Sequence, residues 1–224
     1  EGYRHGLPAG HGQHSCILLL NVTERCNYAC PTCYASAMTP GSPAPTVETP
    51  SLEEIDATVD RVIEREGGRL SVVMVSGGEP TVRRDIEELL KRLFDKPITR
   101  VLLNTNGRRL LKDERFLRFL SKHRDRFEIY LQFDSLTNAA YSSLRGEELA
   151  EEKLAVARLL DEAGIFHTLV MTVAKGVNED QVGDVLKAGL QRPRCAGMAI
   201  QPVFGSGRNP GFDPLDRVDR KSVV

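Results

Sequence analysis

The apolar stretch Cys16-Ile-Leu-Leu-Leu-Asn-Val22 leads, after three residues, into Cys26-Asn-Tyr-Ala-Cys30-Pro-Thr-Cys33-Tyr34. The first stretch has the length and composition of a buried strand. The second brings three thiols close together, so a single loop can wrap its thiolates around one inorganic centre. In a parallel barrel the functional side chains follow the carboxyl ends of the strands. The two stretches therefore predict a strand with a metal or cluster site directly behind it.

Further apolar runs alternate with helix-like patterns, which is typical of βα units and a parallel sheet. The later runs cover residues 70–75, 100–103, 127–133, 166–173 and 196–203. Ser51 and Glu54 form a capping box that predicts a helix start, and a helix over residues 147–163 is expected to end at Gly164. Six strands and five connecting helices predict an α/β fold, a partial (β/α)6 barrel of the TIM type. A doubly wound open sheet gives the same local pattern and stays an alternative.

The predicted domains are a polar leader at residues 1–13, a barrel core at residues 14–204 and an irregular tail at residues 205–224. The tail is rich in glycine and proline, and no helical pattern returns in it. We expect the barrel to be truncated after its sixth strand. Residues 219–224 resemble the translation of a sequencing-adaptor string, which suggests an artefactual end.

The composition is that of an ordinary globular protein, with 41% hydrophobic and 27% charged residues among 224. A formal net charge of -1 indicates neither a nucleic acid nor an anionic membrane as partner. No apolar run approaches the roughly 20 residues of a transmembrane segment. Five cysteines, three of them clustered, make a poor disulfide framework. A metal or cluster site in a reducing, cytoplasmic compartment is the better interpretation.

The number of local ligands separates two kinds of inorganic site. Structural zinc and simple cluster carriers both need four ligands, whereas Cys26, Cys30 and Cys33 supply three. The open metal position suits a cluster that binds a substrate or cofactor directly. A zinc site completed by a distant ligand such as His14 or Cys195 remains the alternative.

The cysteine loop, followed by Gly77-Gly78-Glu79-Pro80 after the second strand, resembles the radical S-adenosylmethionine (SAM) superfamily. In that family three cysteines bind a [4Fe-4S] cluster, and the fourth iron binds the amino and carboxylate groups of SAM. The resemblance implies reductive cleavage of SAM and abstraction of hydrogen from a substrate. It also implies a reducing electron donor such as a ferredoxin or flavodoxin. Thr32 departs from the family, which often has an aromatic residue there, and Tyr34 is the candidate to pack against adenine instead.

The resemblance also implies which residues bind SAM. The Gly-Gly-Glu segment corresponds to the one that binds the SAM amino group, and the end of the fourth strand to one that holds its ribose or carboxylate. Polar residues at consecutive strand ends face one mouth of a barrel, although ordinary turn residues look the same. Arg145 either meets an anionic group or is solvated. The candidate cofactor-binding residues are Gly77, Gly78, Glu79, Asn104, Gln132, Asp134, Ser135, Thr172 and Tyr34.

Several further stretches resemble one subgroup, that of the tetraether lipid synthases and dihydropterin methyltransferase-like proteins. They are Leu131-Gln-Phe-Asp134, Leu144-Arg-Gly146, Lys175-Gly-Val-Asn178 and Gln201-Pro-Val203 with Gly207-Arg208. Ser135 departs from the subgroup, where glycine is expected. The subgroup implies carbon–carbon bond formation or methyl transfer on a small-molecule or lipid substrate, either lipid-like or pterin-like. The alternatives are a peptide-modifying or cofactor-maturing radical SAM enzyme and a non-catalytic zinc or iron–sulfur module.

Overall fold

The computed structural model describes residues 14–39, 41–42, 49–203 and 205–209, together with Asp213 and Val218. The predicted leader at residues 1–13, the residues 219–224 and parts of the predicted tail lie outside the described residues. In the described part, one six-stranded sheet carries helices along its connections.

The strands are β1 (Leu18–Asn21), β2 (Leu70–Ser76), β3 (Ile98–Thr105), β4 (Phe127–Gln132), β5 (His167–Val173) and β6 (Cys195–Pro202). The helices are α1 (Leu52–Arg65), α2 (Ile86–Phe94), α3 (Glu114–Ser121), α4 (Asn138–Arg145), α5 (Ala150–Glu162) and α6 (Val182–Leu190). Short 3-10 helices lie at Pro80–Val82 and Glu179–Gln181. In the described part of the chain, no helix has the length and apolar character needed to cross a membrane.

The strands pair in sequence order from β1 to β6, and every pair is parallel. A doubly wound sheet would reverse its strand order at a switch point, which this sheet does not do. The predicted partial (β/α)6 barrel is therefore confirmed. All six carboxyl ends lie at one edge of the sheet, so residues that follow different strands can share one site.

Side chains alternate between the two faces of the strands, as β4 illustrates. Phe127, Ile129 and Leu131 are fully buried in the hydrophobic core beneath the helices. Glu128, Tyr130 and Gln132 face the other side and are only partly buried. The apolar residues thus fix the helices on the outer face, and polar side chains are left for the inner face.

The capping box at α1 is confirmed, since Ser51 Oγ accepts from Glu54 N at 3.2 Å and the Glu54 carboxylate accepts from Ser51 N at 2.8 Å. Gly164 follows α5 with a φ of 70°, as expected at a helix end. The prediction of one helix over residues 147–163 was incomplete, because α4 precedes it. Helix α4 has only eight residues, including one Asn and two Ser, so its local pattern is weak.

Candidate cofactor site

One cavity lies at the carboxyl edge of the sheet and collects most of the predicted site residues. Its lining includes Cys26, Cys30, Cys33, Tyr34, Gly77, Gly78, Glu79, Asn104, Gln132 and Thr172. Asp134 and Ser135 are fully buried and do not line it. Tyr34 is half-exposed, and it lies in the same loop as the cysteines. The sheet thus brings together residues that are far apart in sequence.

The three thiols lie in a backbone environment that suits thiolate ligands. Tyr28 N donates to Cys26 Sγ and Ala37 N donates to Cys33 Sγ, each at 3.4 Å. Burial raises the pKa of the Cys26 thiol to about 12. Burial also raises the pKa of Cys30, although the Arg145 guanidinium beside it opposes this. Binding of a metal centre would therefore displace protons from the thiols.

The cysteine loop, residues 26–34, is anchored to α5 through the buried ring of Tyr28. The Tyr28 hydroxyl donates to Glu152 Oε1 at 2.6 Å. The Arg108 guanidinium carbon lies 4.3 Å from the ring centroid, and Lys153 Nζ lies 5.1 Å from it. Both are cation–π distances. A long-range contact, which the local sequence does not reveal, therefore holds the start of the loop.

The two residues proposed as a fourth zinc ligand, Cys195 and His14, lie away from the cysteine loop. Cys195 begins β6, and His14 precedes β1 and contacts Glu66 at the end of α1. Both therefore lie near the amino edge of the sheet, opposite the cysteine loop. Within the described residues, no three His, Cys, Asp or Glu side chains converge as ligands of one metal ion. A cluster does not require such convergence, because its cysteines bind different irons.

The Gly77-Gly78 turn packs tightly against the chain that enters the cysteine loop. Gly78 N donates to Thr23 O and Glu79 N donates to Arg25 O, each at 2.8 Å. A Cβ at Gly77 would overlap the Thr23 carbonyl, and one at Gly78 would overlap the Arg25 carbonyl. Glycine is thus required here for backbone packing, in addition to lining the cavity.

The Glu79 carboxylate is buried, and both of its oxygens accept hydrogen bonds. Its Oε1 accepts from Thr81 N at 3.0 Å, from Thr81 Oγ1 at 2.6 Å and from Thr105 Oγ1 at 2.7 Å. Its Oε2 accepts from Asn106 N at 2.7 Å. The carboxylate therefore ties the turn after β2 to the end of β3.

Asp134 and Arg145 form a buried ion pair, in which Arg145 lines the cavity and Asp134 lies behind it. Arg145 donates to the two Asp134 oxygens at 2.7 and 2.8 Å, and to Thr172 Oγ1 at 2.7 Å. Gln132 Nε2 and Thr172 N also donate to the Asp134 carboxylate, at 2.6 and 2.9 Å. Burial by itself would raise the pKa of Asp134, but Arg145 outweighs it and lowers that pKa. Of the two interpretations of Arg145, the one in which it meets an anionic group is correct, and the solvated one is not.

Two further predicted residues have other partners. Ser135 Oγ donates to Gln181 Oε1 at 2.5 Å, away from the cavity. Asn104 lines the cavity and donates from Nδ2 to Ser76 Oγ at 3.0 Å. Among the described residues that line the cavity, Arg145 supplies the only basic side chain and Glu79 the only carboxylate.

Sequence reasoning missed a buried lysine below the site. Lys153 is fully buried on α5, and its Nζ donates to Asn106 O at 2.5 Å. Burial lowers the pKa of its ammonium to about 8. Asn106 in turn donates from Nδ2 to Asn27 Oδ1 in the cysteine loop at 2.7 Å. The sequence did contain a signal for this burial, because Lys153 lies on the same helix face as the apolar residues Val156 and Leu160.

A parallel barrel with three thiols and a glycine turn at its carboxyl edge defines the class of cofactor-dependent barrel proteins. The family model described as "Radical SAM superfamily" matches residues 20–188. The chain therefore belongs to the radical SAM superfamily, whose cofactors are a [4Fe-4S] cluster and SAM.

The chain is similar to several known proteins. It is 34% identical over 208 residues to the 7,8-dihydro-6-hydroxymethylpterin dimethyltransferase of Methanocaldococcus jannaschii, covering 92% of this chain and 40% of that protein. It is 28% identical to the GTP 3',8-cyclase of Ectopseudomonas mendocina, covering 81% and 52% of the two chains. Streptococcus suis SuiB bound to SAM shares the fold, with a TM-score of 0.70 at 16% identity over 90% and 44% of the chains. The chain thus spans about half the length of these curated relatives, or less.

Replacement of Asp134 by Asn tests the buried ion pair. We expect Asp134→Asn to lower the free energy of unfolding by about 3–5 kcal/mol, because it leaves a buried guanidinium without its counter-charge. The pKa of Asp134 is lowered in the folded protein, so its stabilisation is present above its ordinary pKa and is lost as the pH falls. Asp134→Asn should therefore also reduce the loss of stability on acidification. Urea unfolding at several pH values measures both effects.

The control is Asp125→Asn, because Asp125 is exposed. It should change stability by no more than about 0.5 kcal/mol. The double variant Asp134→Leu with Arg145→Met should recover much of the loss, since no unpaired charge remains. Equal stability of Asp134→Asn and the wild type would contradict the assigned pair.

Proposed function

We propose that the chain is the catalytic barrel core of a radical SAM enzyme that acts on an unactivated C–H position of a pterin-like substrate. Carbon–carbon bond formation or methyl transfer would be the outcome. The observation that carries this proposal is the shared cavity of Cys26, Cys30, Cys33 and the Gly77-Gly78 turn. The cysteines would hold the cluster, which supplies the electron that cleaves SAM into methionine and a hydrogen-abstracting radical.

The charges around the cavity match the ionic end of SAM. An amino acid end carries one ammonium and one carboxylate, and the cavity offers the Glu79 carboxylate and the Arg145 guanidinium. Both groups are held in place by buried hydrogen bonds, so they are preorganised for a ligand. Gln132, Asn104 and Thr172 add neutral polar groups that would orient the rest of the cofactor.

Thr172 provides a test of SAM binding that preserves the cysteines. We expect Thr172→Val to weaken SAM binding by about tenfold, corresponding to about 1.4 kcal/mol, because it removes a cavity hydroxyl and the acceptor of Arg145. Isothermal titration of the anaerobic, reconstituted protein measures the affinity.

The matched control is Thr168→Val on the same strand, at a position that bonds Glu128 and does not line the cavity. It should change the SAM affinity by less than about twofold. Equal losses in the two variants would show that the hydroxyl at Thr172 has no particular role in the cofactor site.

The pterin-like class is favoured over the lipid-like class by two observations. The relative from Methanocaldococcus jannaschii is named as a 7,8-dihydro-6-hydroxymethylpterin dimethyltransferase, and the chain covers 40% of its length. In addition, the wall of the cavity carries the amide of Gln201 on β6, which is not among the polar groups proposed to orient the cofactor. Amide and hydroxyl groups suit a hydrogen-bonding heterocycle better than an alkyl chain.

Product analysis tests the proposed reaction. The reconstituted, dithionite-reduced protein is incubated with SAM and either a 7,8-dihydropterin, a glycerol lipid or a peptide. We expect the dihydropterin to raise 5′-deoxyadenosine formation at least tenfold, with transfer of deuterium from the labelled C–H position into that product. Stimulation by the lipid or the peptide alone would overturn the substrate class. No SAM cleavage under any condition would overturn the enzymatic function.

The proposal implies a partner and a compartment. A cluster that must be reduced needs an electron donor, for which a ferredoxin or flavodoxin is proposed. A reducing compartment such as the cytoplasm would keep the clustered cysteines available as cluster ligands.

A further inference from the structure

The segment after β6, residues 205–209, lies against the cysteine loop. Arg208 N donates to Cys33 O at 2.8 Å, and Arg208 Nε donates to Cys30 O at 3.0 Å. Cys33 and Arg208 form an isolated antiparallel bridge. One arginine thus binds the carbonyl groups of two adjacent cysteines in the loop.

Gly207 makes this approach possible. Its φ is 70°, and a Cβ at this position would overlap the carbonyl oxygens of Cys33 and Tyr34. Any side chain at Gly207 would therefore push the segment away from the loop. Gly176 provides a comparison, since it has a φ of 73° but no atom within 4 Å of the position of a Cβ.

The contact joins the two outer strands of the open sheet. The cysteine loop follows β1 and the segment 205–209 follows β6, and β1 and β6 are not paired with each other. Pro202 and Val203, at the end of β6, line the same cavity as the cysteines. Arg208 therefore closes the carboxyl edge of the partial barrel across its open side.

The two ends of the cysteine loop have separate anchors. Cys26 N donates to Met38 O at 2.8 Å, and Tyr28 bonds Glu152 of α5, so the first end is fixed without Arg208. The second end, with Cys30 and Cys33, receives the two hydrogen bonds from Arg208. These two bonds hold the backbone from which the Cys30 and Cys33 side chains project.

We propose that Gly207 and Arg208 form a strap that positions the second and third cysteines for the iron–sulfur cluster. Arg208 is a positioning residue, because it acts through the loop carbonyls. This inference rests on the proposed function of the three cysteines as cluster ligands. It predicts that the lifetime and the electronic environment of the bound cluster depend on a residue outside the ligand set.

The test compares Arg208→Ala, Arg208→Lys and the control Arg84→Ala, in which an exposed arginine is removed. Iron release to a chelator is followed in the reconstituted proteins, together with the EPR spectrum of the reduced cluster. We expect Arg208→Ala to release iron at least tenfold faster and to shift the g-values. Arg208→Lys should lie in between, since its ammonium can still donate to Cys30 O. Arg84→Ala should match the wild type.

A second pair of variants tests the strap through its backbone. Gly207→Ala should accelerate iron release as Arg208→Ala does, whereas Gly176→Ala should not, although both positions have positive φ. Equal release by Arg208→Ala and the wild type, or equal effects of the two glycine variants, would overturn the inference.

Hydrogen–deuterium exchange of the cluster-free protein separates this inference from the proposed function. Arg208→Ala should speed amide exchange in residues 30–36 at least fivefold, with no change in residues 26–28 or in the peptides of α2 and α3. This readout does not require a cluster. If the protein binds no cluster but Arg208→Ala still speeds the exchange, the proposed function is refuted and the strap remains supported. Unchanged exchange would refute the strap, whatever the protein binds.

Discussion

The buried carboxylate of Glu79 is the interaction on which the site depends. It accepts four hydrogen bonds from three residues, so the turn after β2 and the end of β3 have one common reference point. Asn106, one of those donors, bonds Asn27 in the cysteine loop and Lys153 of α5. A buried carboxylate in this position is stabilised because both of its oxygens accept hydrogen bonds. The loop, the turn and the helix are thus held in a single polar network.

A second hydrogen-bond network, around Asp134, places a basic group at the wall of the same cavity. The Glu79 carboxylate and the Arg145 guanidinium lie at its wall with their hydrogen bonds already made, so a zwitterion could bind without rearranging them. The Arg145 guanidinium also lies beside the Cys30 thiol and favours its deprotonated form. Asp134 stabilises Arg145 from behind the wall and is itself inaccessible. The predicted contribution of Asp134 to the cofactor site is therefore indirect.

The sequence predicted the fold well because strand alternation and the cysteine spacing are local signals. The positions of the strands, the capping box and the grouping of most strand-end residues followed from them, whereas the strand order that excludes a doubly wound sheet did not. Helix α4 was not predicted because its apolar pattern is only two turns long. The anchoring roles of Tyr28 and Lys153 depend on contacts with residues distant in sequence. The contact of Arg208 with the loop likewise joins residues 178 positions apart, which no local pattern can reveal.

The most direct test of the account is the EPR spectrum of the dithionite-reduced, reconstituted protein with and without SAM. We predict a [4Fe-4S]⁺ signal that shifts when SAM is added, because the three cysteines leave one iron open. Alanine at Cys26, Cys30 or Cys33 should abolish the signal, whereas alanine at Cys195, at the opposite edge of the sheet, should preserve it. A protein that binds zinc instead, or a cluster signal indifferent to SAM, would contradict the account.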